Sequence, residues 1–353
     1  MDASLMQYSR MPEQPTPPPT DRSQSWSRYW ATGALHSCVG SFADNYDGEI
    51  AAFWGKVFAR LPHGARVLDV ATGNGALPRL LLDSLPRKGE PDPVQAVEID
   101  AVDLADVAPR WVRTLDPEQS ARIRFHCGVR AEALPFADAS FGLVISQYGI
   151  EYTDLAASAA EVRRVLTANG SVALLLHHVG SLPVRLGRVE LVELDWLERP
   201  DGLLERAHSL LPFLVELGTP GGMARVRGDP RATAAREAVN QAMRALDVRA
   251  AEDIDAAPVL RDLQGNLAAL FNASAQLGAF HAQARLNALL AGLAQARLRQ
   301  QELVGCALDE QQLWHLATEL SVGRAFLSKI NAISVQGQLF GWGLHLRPLE
   351  DGE

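Results

Sequence analysis

The chain has 353 residues, of which 47% are hydrophobic and 21% are charged. This composition is typical of a folded globular protein and excludes a disordered, collagen-like or membrane-channel chain. The formal charge is -9, and no dense basic run could neutralise a row of phosphates, so we expect no nucleic-acid partner.

The three cysteines are Cys38, Cys127 and Cys306, and they are widely spaced without a CxxC pair. This pattern favours a reducing compartment and predicts neither a disulfide framework nor a metal site. The chain opens without the basic-then-apolar order of a secretory signal, and it contains no uncharged apolar run of about 18 residues. We therefore predict a cytoplasmic protein with no membrane partner.

The first 64 residues divide into two predicted segments. Residues 1–24 are proline-rich and polar, which predicts a disordered tail. Residues 25–64 carry aromatics at helix-compatible spacing and predict an N-terminal helical flap. We expect Tyr29, Trp30, His36 and Tyr46 either to form one wall of a ligand chamber or simply to pack against the core.

Residues 65–180 alternate short apolar runs with helical stretches. The runs at 66–71, 94–104, 123–129, 143–147 and 171–178 predict five parallel strands with crossover helices. This pattern indicates an α/β fold with a doubly wound, mostly parallel sheet. Ligands of such sheets bind beyond the carboxyl ends of the strands, which is where the motifs described below fall.

Residues 181–307 have helical periodicity, with leucines at 260, 263, 267, 270 and 277 and again at 286, 290 and 293. They predict a large helical insertion after the fifth strand. The insertion is either a lid over the chamber or the seam of a homodimer, and the two roles are compatible. Residues 308–353, with a helix at 309–320 and a strand at 337–347, are expected to complete the core sheet.

The most informative motif is an apolar strand that contains Asp69 and runs into the turn Thr72-Gly73-Asn74-Gly75. Glycines at 73 and 75 permit a tight turn and close backbone approach of a ligand. A dinucleotide fingerprint would have a third glycine where this chain has Pro78, which disfavours a nicotinamide-dependent oxidoreductase.

A second motif ends the next strand with acids. A carboxylate at this place can accept both hydroxyls of a ribose, and we choose Asp103, followed by Leu104, for that role. Asp100 and Glu98 are the competing choices.

The ordered set of motifs between residues 65 and 178 resembles the class I, Rossmann-like S-adenosylmethionine-dependent methyltransferases. In motif style the set is closest to the small-molecule group around the ubiquinone/menaquinone C-methyltransferases. The resemblance implies S-adenosylmethionine as cofactor. The cofactor-binding positions it implies are Asp69, Thr72, Gly73, Asn74, Gly75, Asp103, Leu104, Ala131, Glu132 and Gln147.

The adenine-binding position departs from that group. Where relatives carry an Asp-Ala pair, this chain has Arg130-Ala131 followed by Glu132. We expect either Glu132 or a backbone carbonyl to replace the missing aspartate.

Three catalytic candidates follow the fourth and fifth strands. Tyr148 could face the sulfonium or an acceptor ring, or could pack at the sheet edge. Glu151 is either a base or an acid favoured by a helix start. His178 is our candidate base, although a strand histidine is more often structural. The Asn-Pro-Pro-aromatic motif of nucleic-acid and glutamine methyltransferases is absent.

These features predict methyl transfer to a small-molecule acceptor of hydrophobic or aromatic character, with O-, N- and C-methylation all open. The alternative is a non-catalytic regulatory protein that binds S-adenosylmethionine or S-adenosylhomocysteine.

Overall fold

The computed structural model describes residues 19–38, 42, 44–85 and 97–349. Most of the predicted tail, residues 1–18, and residues 86–96 of the loop before the second strand lie outside these ranges. Within them, the strands are β1 (Arg66–Val70), β2 (Glu98–Asp103), β3 (Ile123–Cys127), β4 (Phe141–Gln147), β5 (Leu166–Leu176), β6 (Phe326–Val335) and β7 (Gln338–Pro348).

These strands form one mixed sheet in the order β3-β2-β1-β4-β5-β7-β6. Neighbours from β3 to β5 are parallel, and β7 is antiparallel to both β5 and β6. The predicted doubly wound, mostly parallel sheet is thereby confirmed. The strand order reverses between β1 and β4, so their carboxyl ends form the switch point where such sheets bind ligands.

Helices cover both faces of the sheet. The core helices are α2 (Gly48–Phe58), α3 (Ala76–Ser84), α4 (Pro117–Ala121), α5 (Leu155–Val165) and α11 (Glu310–Ser321), together with the 3₁₀ helices Arg110–Thr114 and Ile150–Tyr152. Alternate strand residues enter opposite cores because strand side chains point to opposite faces. Val67 packs with Trp54 and Leu81, whereas Leu68 packs with Val162 and others on the second face.

The predicted helical insertion consists of α6 (Leu182–Leu197), α7 (Leu203–Glu216), α8 (Gly222–Gly228), α9 (Pro230–Glu252) and α10 (Ala257–Cys306). Its leucines at 260, 263, 267 and 270 are buried in a third core with residues of α7 and α9. The stripe that suggested a dimer seam is thus largely covered within the chain itself. Gly278, with φ +71°, interrupts α10.

Three elements differ from the sequence prediction. Residues 19–24 were predicted to belong to the disordered tail, but they form the start of a helix over Pro19–Ala31. β6 was not predicted, because as an edge strand it is mostly half-buried or exposed and lacks a clean alternation. The fifth strand runs over Leu166–Leu176, so His177 and His178 lie just beyond it rather than within it. Among the described residues, every helix is too short or too polar to cross a bilayer.

Candidate active site

A cavity of 1540 Å³ opens at the carboxyl ends of β1, β2 and β4. Its sheet side is formed by the loops that follow these strands. Its opposite side is formed by α1 (Pro19–Ala31) and by the last turns of α10. The cavity therefore lies at the switch point of the sheet, with the N-terminal flap and the insertion as its outer walls.

Asp69 lines this cavity at the end of β1 and is 2% exposed. Its Oδ2 accepts a hydrogen bond from the Thr72 hydroxyl at 2.5 Å. Burial raises the pKa of Asp69 to about 8, and the nearby Asp103 contributes in the same direction. The group is thus held largely protonated at neutral pH.

Asp103 ends β2 and lines the same cavity. Its Oδ2 accepts a hydrogen bond from the Gly73 amide at 2.7 Å, and its Oδ1 accepts one from the Ala105 amide at 2.8 Å. Burial raises its pKa, although the backbone amides oppose this. The structure thus brings the predicted glycine turn and the predicted acid into direct contact.

The two competing acids are engaged elsewhere. Asp100 accepts hydrogen bonds from Arg66 at 2.9 Å and from His126 at 2.8 Å. Glu98 forms an ion pair with Arg124. Neither is among the described residues that line the cavity, so of these three acids Asp103 alone borders it.

The glycine turn itself differs from the prediction. Gly73 and Gly75 have φ of +55° and +75°, but protein side chains occupy the space beside them. A β-carbon on Gly73 would come 2.5 Å from Trp30, and one on Gly75 would come 2.7 Å from Phe125. Among the described cavity residues neither glycine appears, nor does Asn74. Because Gly73 and Gly75 have no side chain, Trp30 of α1 and Phe125 of β3 can pack closely against the turn.

The predicted adenine region lies at one end of the cavity. Leu104, Ala131 and Glu132 all line it. Glu132 Oε1 accepts a hydrogen bond from the Asp154 amide at 3.1 Å, which holds the side chain against the loop after β4. The Leu104 carbonyl accepts from the Ser23 hydroxyl at 3.1 Å, so α1 reaches this end as well.

Gln147 and Tyr148 follow each other at the end of β4, and both line the cavity. Gln147 accepts a hydrogen bond from the Trp54 indole. Tyr148 has φ +53°, stacks on His177 at 4.2 Å and donates its hydroxyl to the Phe340 carbonyl at 3.2 Å. These contacts favour the alternative in which the phenol of Tyr148 packs at the sheet edge.

Glu151 lines the cavity and is 4% exposed. Its Oε1 accepts a hydrogen bond from the His177 amide at 2.9 Å, whereas its Oε2 has no partner among the described residues. Burial raises the pKa of Glu151 to about 7. A buried carboxyl oxygen without a partner is costly, so Oε2 is a candidate for contact with a ligand group.

Comparison with known proteins agrees with this geometry. A methyltransferase domain family matches residues 67–170. A malonyl-[acyl-carrier protein] O-methyltransferase from Geobacter sulfurreducens is 35% identical over 126 residues, which are 35% of this chain and 43% of that protein. A ubiquinone/menaquinone biosynthesis C-methyltransferase from Xylella fastidiosa is 31% identical over 127 residues, which are 35% of this chain and 47% of that protein.

Residues 67–170 belong to the class I S-adenosylmethionine-dependent methyltransferase superfamily. The chain spans less than half the length of the two relatives, and the match stops before the helical insertion. Among solved structures, a geranyl diphosphate methyltransferase in complex with GPP and sinefungin is similar, with a TM-score of 0.33 and 17% identity. That similarity covers 43% of this chain and 65% of the other.

His178, the base predicted from sequence, lies outside the cavity of this methyltransferase core. Its ring stacks on Trp342 at 4.4 Å, and its Nδ1 accepts a hydrogen bond from the Gly180 amide at 2.7 Å. The prediction placed it at the end of β5 facing the pocket. Because that strand ends at Leu176, the ring turns toward β7 instead.

Several residues that line the cavity were not predicted, and most of them come from its outer walls. Glu302 on α10 accepts hydrogen bonds from Arg22 and from the Trp26 indole, the latter at 3.0 Å. Arg22 also donates to the Tyr152 carbonyl at 2.7 Å. The aromatic residues of the predicted flap indicated that α1 could line the cavity. No local feature of the sequence predicted that the last turns of α10 would line it too. The described residues contain no group of three or more metal-ligating side chains.

Proposed function

We propose that this protein is an S-adenosylmethionine-dependent methyltransferase that acts on a small-molecule acceptor. The observation that carries the proposal is a single cavity that joins the Asp69–Asp103 edge of the methyltransferase core to a chamber under α1 and α10. Its volume of 1540 Å³ exceeds the roughly 300–1,000 Å³ of a pocket for one drug-sized ligand. Cofactor and acceptor therefore fit in it together.

The residues at the sheet edge suit the cofactor. Asp103 offers a carboxylate for the ribose hydroxyls while its other bonds hold the glycine turn in place. Leu104, Ala131 and Glu132 would enclose the adenine, and Asp69 and Thr72 would face the amino acid end. When bound, S-adenosylmethionine supplies an activated methyl group whose leaving sulfur needs no protonation.

The outer chamber suits a hydrophobic or aromatic acceptor. Its walls include Trp26 and Trp30 of α1, Leu191 of α6, and Leu298 and Val304 of α10. An apolar wall with a few polar groups orients a ligand and excludes water. We therefore propose the lid role for the insertion, and we propose that Glu151 hydrogen-bonds the acceptor through its unpartnered Oε2.

Two measurements on the full chain test the proposal. Calorimetry with S-adenosylhomocysteine should show binding, and a radiolabelled methyl group should move from S-adenosylmethionine to members of a panel of small phenols, alcohols, amines and carbon nucleophiles. Binding without any transfer would favour the regulatory alternative. Protection by NADH in a melting assay, with none from S-adenosylhomocysteine, would contradict both.

A further inference from the structure

We propose that His36 is the proton acceptor of this site and that the methylated group is an acidic hydroxyl, such as a phenol. The inference rests on the proposed function. His36 lies on the segment between α1 and α2, outside residues 67–170 that match the methyltransferase family. It lines the cavity and is 6% exposed.

The hydrogen bonds of the imidazole determine its tautomer. Nε2 lies 2.9 Å from the carbonyl oxygen of Asp44. A carbonyl oxygen can only accept, so the proton of the neutral ring is on Nε2. Nδ1 then carries a lone pair, and it is buried without a partner among the described residues. The ring is therefore oriented as a base.

Contacts through two neighbouring side chains connect the His36 ring to the end of β4. His36 stacks on Tyr46 with ring centroids 4.6 Å apart. The Tyr46 side chain in turn interacts with Gln147, the last residue of β4. Because β4 adjoins β1 at the switch point, this chain of contacts holds His36 beside the place where ligands of such sheets bind.

The groups around His36 leave it uncharged at neutral pH. Burial lowers its pKa, and this shift is opposed only in part by the carbonyl and carboxylate of Asp44 and by the backbone of His36 itself. The Asp44 carboxylate is itself bound by Arg79 of α3 at 2.8 and 2.9 Å. Burial raises the pKa of Tyr29, Tyr46 and Cys38, which keeps all three neutral. His36 is thus available to receive a proton.

The chemistry favours a hydroxyl over a protonated amine. A base of lowered pKa assists best when the proton it takes is itself acidic, as in a phenol, and it deprotonates an ammonium group poorly. In the proposed step, the acceptor O–H bond breaks and its proton passes to Nδ1 while the oxygen bonds to the methyl carbon. The carbon–sulfur bond breaks with its electron pair left on sulfur, which yields the methyl ether, the thioether S-adenosylhomocysteine and an imidazolium that releases its proton to water.

The tautomer is tested without turnover. Long-range ¹H–¹⁵N spectra of histidine-labelled protein should show His36 Nδ1 unprotonated and Nε2 protonated between pH 7 and 8, with His36→Gln used to assign the signal. A proton on Nδ1 in this range would overturn the proposal.

The role of the base is tested by His36→Gln, which retains a donor for the Asp44 carbonyl but has no basic nitrogen. Label transfer to phenols from the panel should fall by about 10²–10⁴-fold in kcat with little change in KM. The acid limb of the wild-type profile, below pH 6.5, should disappear. His63→Gln is the matched control, because His63 is exposed in a turn, and it should behave as wild type.

The outcomes separate the inference from the proposed function. If the wild type does not bind S-adenosylhomocysteine, the proposed function fails. If it binds and methylates only amines or carbon, or if His36→Gln keeps kcat within about threefold, the role of His36 is wrong. An acid limb near pH 7 that persists in His36→Gln would instead assign the base to Glu151. His36→Phe, which retains the stack on Tyr46, replaces His36→Gln if the latter fails to fold, as judged by circular dichroism.

Discussion

The indole of Trp30 lies against Gly73, so closely that a β-carbon at residue 73 would come 2.5 Å from its Cζ2 atom. The next residue strengthens the same contact, because the Asn74 amide donates to the carbonyls of Trp30 and Ala34 at 2.9 and 2.7 Å. The glycine turn thereby fastens the end of α1 over the cavity. The glycine turn, which was expected to contact the cofactor, thus anchors α1, the helix that forms the outer wall of the cavity.

Gly73→Ala should destabilise the protein more than Gly128→Ala. Both glycines have positive φ, +55° and +70°, so each substitution carries the backbone cost of about 1–2 kcal/mol. Around Gly128 nothing lies within 4 Å, whereas the clash with Trp30 should add about 1–3 kcal/mol. Urea unfolding measures the stability of both variants. When Gly73→Ala is made in a Trp30→Ala protein, the extra loss caused by the clash should disappear. Equal losses of unfolding free energy in the two variants would show that the Trp30 indole moves aside without cost.

Asp103→Asn should weaken S-adenosylhomocysteine binding. Hydrogen bonds to a charged group contribute about 1.5–3 kcal/mol, which corresponds to roughly a 10- to 150-fold higher Kd. The asparagine oxygen can still accept the bond from the Gly73 amide, whereas its NH₂ group cannot accept the one from Ala105, so the fold should persist with one hydrogen bond fewer. Calorimetry provides the measurement, and the exposed Asp106→Asn serves as the control. An unchanged Kd would mean that the ribose lies elsewhere.

Asp69 should make the ligand-free protein less stable as the pH rises. Its pKa of about 8 in the folded state lies above its ordinary value of 3.8, so between these pH values the folded state holds a proton that the unfolded state has released. This contribution is fully present below pH 3.8 and is lost as the pH rises toward 8. Asp69→Asn, which keeps an acceptor for Thr72, should therefore show a Tm that exceeds the wild-type value increasingly from pH 5 to 9. A Tm difference that does not vary with pH would contradict the assignment.

Glu302→Gln should loosen α1 from α10. Glu302 is 7% exposed in its side chain and receives bonds from both Arg22 and Trp26, so losing its charge weakens two contacts across the cavity mouth. Hydrogen–deuterium exchange of residues 22–31 should become faster. Glu198→Gln is the matched control: Glu198 also pairs with a residue of α10, Arg297, but it is 42% exposed, and such pairs contribute about 0–1 kcal/mol. Equal exchange in both variants would show that other contacts hold α1.

The pattern of residues along the chain was enough to locate the core of the protein. Buried strands leave apolar runs, and acids and glycines at their ends sit together because parallel strands share one carboxyl edge. Asp69, Thr72 and Asp103 could be chosen for this reason, and the structure brings them together at the edge of the cavity. The helical insertion over residues 181–307 could also be predicted, because a sustained helical periodicity of leucines is a local signal in the sequence.

The set of side chains that surround the cavity could not be read from the sequence pattern. Glu302 meets Arg22 across 280 positions of the chain, and the ring of His36 meets the carbonyl of Asp44, which lies eight positions further along. The prediction that His178 faces the pocket depended on where β5 ends, a boundary that pattern alone locates only to within a few residues. Such contacts arise from packing between distant segments, and that packing leaves no periodic trace in either segment.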